Sequence, residues 1–150
     1  MRRTVESFGE EDTRNLASKI SRDSKKGDVY ALIGDLGVGK TAFAKGFAEG
    51  LGIDEPIVSP TFTVVRTYEG GRLPLHHFDV YRIGDVSEMD EIGYEDCFYG
   101  DGVSIMEWAD LVEPILPDDV IRISIEKDLS KGTDYRRIII ESHKDEDNSH

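Results

Sequence analysis

The chain has 150 residues, a single cysteine and a formal net charge of −13. That length suits one domain, residues 1–150, able to bury a core without staples, while the lone Cys97 excludes an internal disulfide or a thiolate zinc site and reads as a packing residue. So acidic a surface repels nucleic-acid phosphates, and Lys25-Lys26 and Arg136-Arg137 are too short to offset it, so direct binding of DNA or RNA is not expected and larger partners should be proteins.

No apolar run follows Met1-Arg2-Arg3 and no stretch approaches membrane-spanning length, so the expectation is a cytoplasmic protein without a membrane partner. Residues 4–8 alternate weakly and suit a short edge strand. Over residues 10–24 the period becomes helical, with Thr13, Leu16, Ala17 and Ile20 on one face and Glu10, Glu11 and Asp12 where a helix N-terminus favours negative charge. Lys25-Lys26-Gly27-Asp28 reads as a cationic helix end followed by a turn.

Residues 29–51 organise the rest. Val29, Tyr30, Ala31, Leu32 and Ile33 suit a buried strand; a glycine-rich turn follows; then Phe43, Phe47 and Leu51 recur at i, i+4 and i+8 with Ala44 and Ala48 beside them, the face of a helix that packs on a sheet. Within this stretch Gly34-Asp35-Leu36-Gly37-Val38-Gly39-Lys40-Thr41 fits the phosphate-loop pattern G-x-x-x-x-G-K-[ST] at every fixed position. Glycines let successive backbone N–H groups turn inward on an anion. Lys40 is placed to reach β and γ phosphates and Thr41 to offer its hydroxyl to Mg²⁺, with the helix dipole aimed at the same phosphates. Asp35 through Ala42 therefore form the expected nucleotide-contacting run.

Gly50 and Gly52 end the helical period, and Asp54-Glu55-Pro56 marks a loop. Residues 58–68 read as a strand in their second half, entered through a Ser59-Pro60-Thr61 turn. A hairpin over residues 69–72 leads to a strand over residues 73–82, in which period-two geometry sets His77, Asp79 and Tyr81 on one face and Phe78 and Val80 on the other. Residues 85–98 are acidic, with Met89, Ile92 and Phe98 the apolar points of one or two short helices. Residues 103–108 form an apolar strand ending in Glu107 and Trp108. A helical turn over residues 109–112 stops at Pro114 and Pro117. Strands over residues 120–125 and 135–141, joined by a turn at residues 130–133, precede a polar tail at residues 143–150 expected to fray.

Phosphoryl transfer is catalysed chiefly by positioning and charge neutralisation, so the loop needs an acidic residue for Mg²⁺ and a group to orient water. Asp79 is the candidate metal ligand, since an unpaired carboxylate in an apolar strand is costly, and a structural pair with Arg82 or a histidine is the alternative. Thr61 is a candidate second hydroxyl ligand on a turn. Glu107 suits water positioning, and Trp108 suits stacking on a base, contact with a partner, or burial in the core. His76 and His77 face opposite ways on their strand and read as strand residues with no metal of their own.

Taken in order, the phosphate loop, Ser59-Pro60-Thr61-Phe62, His77-Phe78-Asp79-Val80-Tyr81-Arg82, Glu91-Ile92-Gly93 and Glu107-Trp108 resemble the motifs of the TsaE family, also called YjeE, the small bacterial ATPases of tRNA threonylcarbamoyladenosine biosynthesis. Val38 and Met106 depart from the usual residues while keeping apolar character. The resemblance implies a three-layer α/β/α P-loop NTPase-like fold around a mixed, largely parallel sheet, with ATP and Mg²⁺ as cofactors. It implies that Lys40, Asp79 and Glu107 serve catalysis, that Thr41, Thr61, Asp79 and Glu107 serve the metal, and that Trp108 lies beside the nucleotide. It also implies partnership with TsaB and TsaD in modifying adenosine 37 of tRNAs reading ANN codons. Hydrolysis there resets the complex between turnovers, and tRNA is met only through the partners.

Two other classes use the same loop. A small-molecule kinase needs a basic lid, whereas Asp85, Glu88, Asp90, Glu91, Glu95 and Asp96 make the region after Asp79 acidic. A GTPase-like switch needs Asn-Lys-x-Asp, and neither Asn15 nor Asn148 is followed by lysine. Asp90-Glu91-Ile92-Gly93 matches Asp-x-x-Gly in an acidic helical segment and is read as coincidence.

Overall fold

The computed structural model describes residues 2–34, 39–58 and 64–142. Of the expectations above, those for Asp35, Leu36, Gly37, Val38, the Ser59-Pro60-Thr61 turn and the 143–150 tail lie outside these residues. The elements run β1 (Arg2–Ser7), α1 (Glu10–Arg22), β2 (Val29–Ile33), α2 (Lys40–Leu51), β3 (Val65–Tyr68), β4 (Leu75–Asp79), α3 (Glu88–Glu91), α4 (Tyr94–Phe98), β5 (Val103–Glu107), β6 (Ile121–Lys127) and β7 (Arg136–Glu141). Short 3₁₀ segments occupy Ala109–Ile115 and Leu129–Lys131. Among the described residues no helix is long and apolar enough to cross a membrane.

Among the described residues seven strands form one sheet in the order β1-β7-β6-β2-β5-β4-β3. The four central strands, β6, β2, β5 and β4, are mutually parallel; β3 and the β7-β1 pair are antiparallel additions at the two edges. Parallel strands need covered faces on both sides, and this sheet has them. On one face Tyr30, Leu32, Leu75, Ile105, Ile121, Ile123 and Ile125 pack against Ala17 of α1 and Phe43, Phe47 and Leu51 of α2. On the other, Val29, Ala31, Phe78 and Met106 meet Met89 of α3, Phe98 of α4, and Ala109 and Val112. The result is the three-layer α/β/α arrangement. Cys97 packs half-buried in this second cluster, where burial pushes its thiol pKa up and disfavours a thiolate, as suits a packing residue.

Several local expectations change in the tertiary context. Gly50 does not end the second helix. It sits inside α2, where a Cβ would meet the backbone of Ser18 in α1, and Gly52, with φ of 83°, provides the left-handed cap. Gly46 packs against Arg14 in the same way, so the two glycines bring α1 and α2 into backbone contact. Helix α1 stops at Arg22, leaving Lys25 and Lys26 in the turn beyond it, where the Asp28 carboxylate accepts from the Lys25 N–H. The fourth strand ends at Asp79, so Tyr81 lies beyond it and is exposed. Pro114 does not stop the 109–115 segment, because a kink at Val112 starts a new turn in whose first positions proline costs no hydrogen bond. Residues 90–93 lie in the layer opposite α2, with Met89 buried and Ile92 partly buried against the sheet.

Candidate functional site

The parallel strands end together. Leu32 of β2 is paired with Glu107 of β5, and Glu107 in turn with Asp79 of β4. The chain leaves β2 for Gly34, and Gly39, the N-cap of α2, takes a left-handed conformation with φ of 115°. Glycine carries that φ without the Cβ penalty. Among the described residues no side chain caps this helix, and its first turn contains no acidic residue, so its positive end is not offset from within.

Lys40 is 5% exposed, although its side chain carries a charge. Its Nζ donates to the Gly34 carbonyl at 2.8 Å and lies 3.5 Å from the centre of the Trp108 ring. A desolvated ammonium over an indole gains about 2 kcal/mol. Trp108 reaches this position from a left-handed backbone, φ 62° and ψ 30°. Among the described residues the one other non-glycine with positive φ is Val64, whose carbonyl accepts from the Asp79 N–H at 2.7 Å. Such conformations cost on the order of 1–3 kcal/mol each and persist where surrounding structure over-determines them. Both sit beside the Asp79–Glu107 pair. Tyr81 packs against Trp108, the two rings tilted by 48° with centroids 4.8 Å apart.

Asp79 is half-buried and accepts from the Tyr81 N–H at 3.1 Å. Glu107 is 5% exposed, and its Oε2 lies 2.6 Å from His77 Nε2. His77, Asp79 and Glu107 all project to the sheet face that carries α2, since they share parity with Leu75, Val103 and Ile105. Thr41 is exposed on the first turn of α2. Among the described residues no group of three or more His, Cys, Asp and Glu side chains is arranged to hold a metal alone. Two carboxylates and a hydroxyl are nonetheless hard oxygen donors. Such a partial set fits Mg²⁺, which keeps waters and takes substrate phosphate oxygens.

His76 points away from this site. Its Nδ1 is 2.8 Å from Thr67 Oγ1, and burial lowers its pKa below the ordinary value. Arg66 is engaged by Glu55 on the exposed edge strand, and Arg82 lies exposed just past β4. Two features escaped the sequence reading. One is the His77–Glu107 contact, whose sole signal was the shared parity of residues 77 and 79. The other is a cavity of about 250 Å³ beside the start of α2, lined by Gly9, Glu10, Thr13, Gly39, Ala42, Asp134 and Arg136. Three segments distant in sequence build it, and no local pattern announces it.

Residues 8–138 match the family model described as threonylcarbamoyl adenosine biosynthesis protein TsaE. The chain is 48% identical over 128 residues to the tRNA threonylcarbamoyladenosine biosynthesis protein TsaE of Bacillus subtilis, covering 85% of this chain and 78% of that protein. The protein of the same name from Treponema pallidum is 44% identical, over 77% of this chain and 84% of the relative. The crystal structure of Bacillus subtilis YdiB superposes with a TM-score of 0.81 at 39% identity, covering 95% of this chain and 86% of that one.

Proposed function

Because this chain belongs to the TsaE family of threonylcarbamoyl adenosine biosynthesis proteins, we propose that it is a Mg²⁺-dependent ATPase that works with TsaB and TsaD, its hydrolysis step resetting that pair between rounds of tRNA modification. The observation that carries the reading is the convergence at the strand ends: a buried Lys40 is held against Gly34 and Trp108, and Trp108 follows Glu107, which lies in register with Asp79 across two parallel strands.

In this reading the backbone N–H groups at the start of α2 and the Lys40 ammonium bind the β and γ phosphates. Thr41, Asp79 and Glu107 hold Mg²⁺ together with Thr61. When bound, the metal neutralises charge on the phosphate oxygens. Glu107, buried and oriented, positions the attacking water. Trp108 closes the site over Lys40 and keeps bulk water from its ammonium. The cavity between Gly9, Ala42 and Asp134 seats the purine, because it opens on the same first turn that takes the phosphates. The formal charge of −13 supports leaving the tRNA to the partners.

The test is steady-state hydrolysis of ATP and GTP by the purified chain, with and without TsaB and TsaD from its own organism. Low ATP turnover alone that rises sharply with the pair is the expected result. Preference for GTP, or stimulation by a small acceptor and not by the pair, would overturn it.

A further inference from the structure

We infer that His77 is a positioning residue for Glu107, donating its Nε2–H to Oε2 and so leaving Oε1 as the carboxylate oxygen that serves the site. This rests on the reading of Glu107 as a metal- or water-holding group and adds the residue that orients it.

The geometry is a diagonal across two parallel strands. In the β4–β5 register His77 lies opposite Ile105 and Asp79 opposite Glu107, so the imidazole reaches one pair forward along the same face to meet the carboxylate at 2.6 Å. His77 is 1% exposed and Glu107 is 5% exposed. Without a donor, a carboxylate so buried lacks compensation for lost hydration, and its side-chain torsions lack a constraint. Toward the core this face is apolar, with Leu75, Val103 and Ile105 in the core cluster, while Asp79 and Arg66, the β3 residue paired with His77, flank it toward the site and the sheet edge. An aliphatic residue at position 77 would therefore serve packing as well as histidine does.

The second ring nitrogen sharpens the point. His77 Nδ1 is buried and has no hydrogen-bond partner among the described residues. A histidine kept for structure alone ordinarily has both nitrogens satisfied. Among the described residues one hydrogen-bond contact, that to Glu107, accounts for the imidazole. Carboxylates that hold metals are commonly oriented by such outer partners, whose loss lowers metal affinity or activity roughly 10- to 100-fold.

Two variants separate positioning from packing. His77→Gln keeps an N–H donor near the Nε2 position, whereas His77→Leu keeps bulk and removes it. Mn²⁺ affinity is measured by electron paramagnetic resonance on each protein bound to the non-hydrolysable analogue AMP-PNP, alongside ATP turnover against Mg²⁺ concentration. His77→Leu is expected to weaken Mn²⁺ binding about 10- to 100-fold and to shift Mg²⁺ activation upward, with KM for ATP changed far less. His77→Gln is expected to restore most of the affinity. Equal affinities for wild type, Gln and Leu would overturn the inference, as would equal losses in both variants.

If His77→Leu fails to fold, ¹⁵N NMR of the wild type decides. A proton on His77 Nε2 whose resonance moves in Glu107→Gln supports the inference, and a bare Nε2 overturns it. Wild-type protein that binds Mn²⁺ with AMP-PNP yet hydrolyses nothing even with TsaB and TsaD present would sink the ATPase reading and leave the Mn²⁺ comparison to judge His77. Absence of Mn²⁺ binding in the wild type would overturn both.

Discussion

Lys40 holds its ammonium 3.5 Å above the Trp108 ring while donating to the Gly34 carbonyl. The ring therefore senses where that charge is. Trp108 is the chain's one tryptophan, so its emission reports on the site without a label. ATP is expected to draw Nζ from the indole toward phosphate and change the fluorescence. Lys40→Ala should alter the resting emission, remove the ATP response and lower turnover roughly 10- to 100-fold, the equivalent of losing a charge-assisted bond of about 1.5–3 kcal/mol. A Lys40→Ala protein that turns over ATP like wild type would refute the site.

Asp79→Asn keeps an oxygen to accept from the Tyr81 N–H and removes the charge. Turnover should fall roughly 10- to 100-fold and the Mg²⁺ needed for half-activation should rise, with nucleotide binding in EDTA little changed. Those three readouts come from one Mg²⁺ titration and one equilibrium binding curve. Loss of metal-free nucleotide binding instead would make Asp79 a structural residue.

Ala42 lines the 250 Å³ cavity from the first turn of α2. Leucine is a good helix former at that position, so Ala42→Leu should fold and fill the cavity. We expect the Kd for ATP to rise about tenfold, in line with about 1–3 kcal/mol for overpacking a site with added methylenes, while inorganic triphosphate binds as before. A parallel loss for triphosphate would move the purine elsewhere.

Gly46 faces Arg14 across the α1–α2 contact, and an added Cβ would stand 2.6 Å from Arg14 Cα and closer still to its carbonyl oxygen. Gly46→Ala gains at most about 1 kcal/mol of helix propensity. Forcing the helices apart costs about 1–3 kcal/mol and loosens Ala17, Phe43 and Phe47 as well. Overpacking wins by about 1 kcal/mol, and thermal denaturation should show Tm lowered by roughly 2–4 °C. An unchanged or raised Tm would mean the helices adapt.

Much of the fold was legible in local chemistry. The apolar run of residues 29–33 followed by the glycine-rich loop and Phe43, Phe47 and Leu51 could satisfy one arrangement, a buried strand leading to a helix on the sheet. The alternation of Ile121, Ile123 and Ile125 gave the face of β6 correctly. Both readings rest on periods of two and 3.6, which side-chain geometry imposes within a single element. Gly50 shows the limit. A glycine inside a helix and a glycine ending one look alike until the neighbouring helix is in place.

What the sequence by itself determined is the phosphate-loop pattern, the strand–loop–helix unit that carries it, and the candidate acids Asp79, within an apolar strand, and Glu107, at the end of another. Tertiary structure decided which strands lie side by side. The β4–β5 register brings Asp79 opposite Glu107 and His77 onto Oε2, and the meeting of Gly9, Ala42 and Asp134 creates the cavity. The physical reason is that hydrogen-bond pairing between distant strands and contact between distant helices are properties of the whole packed chain, and no window along it contains both partners.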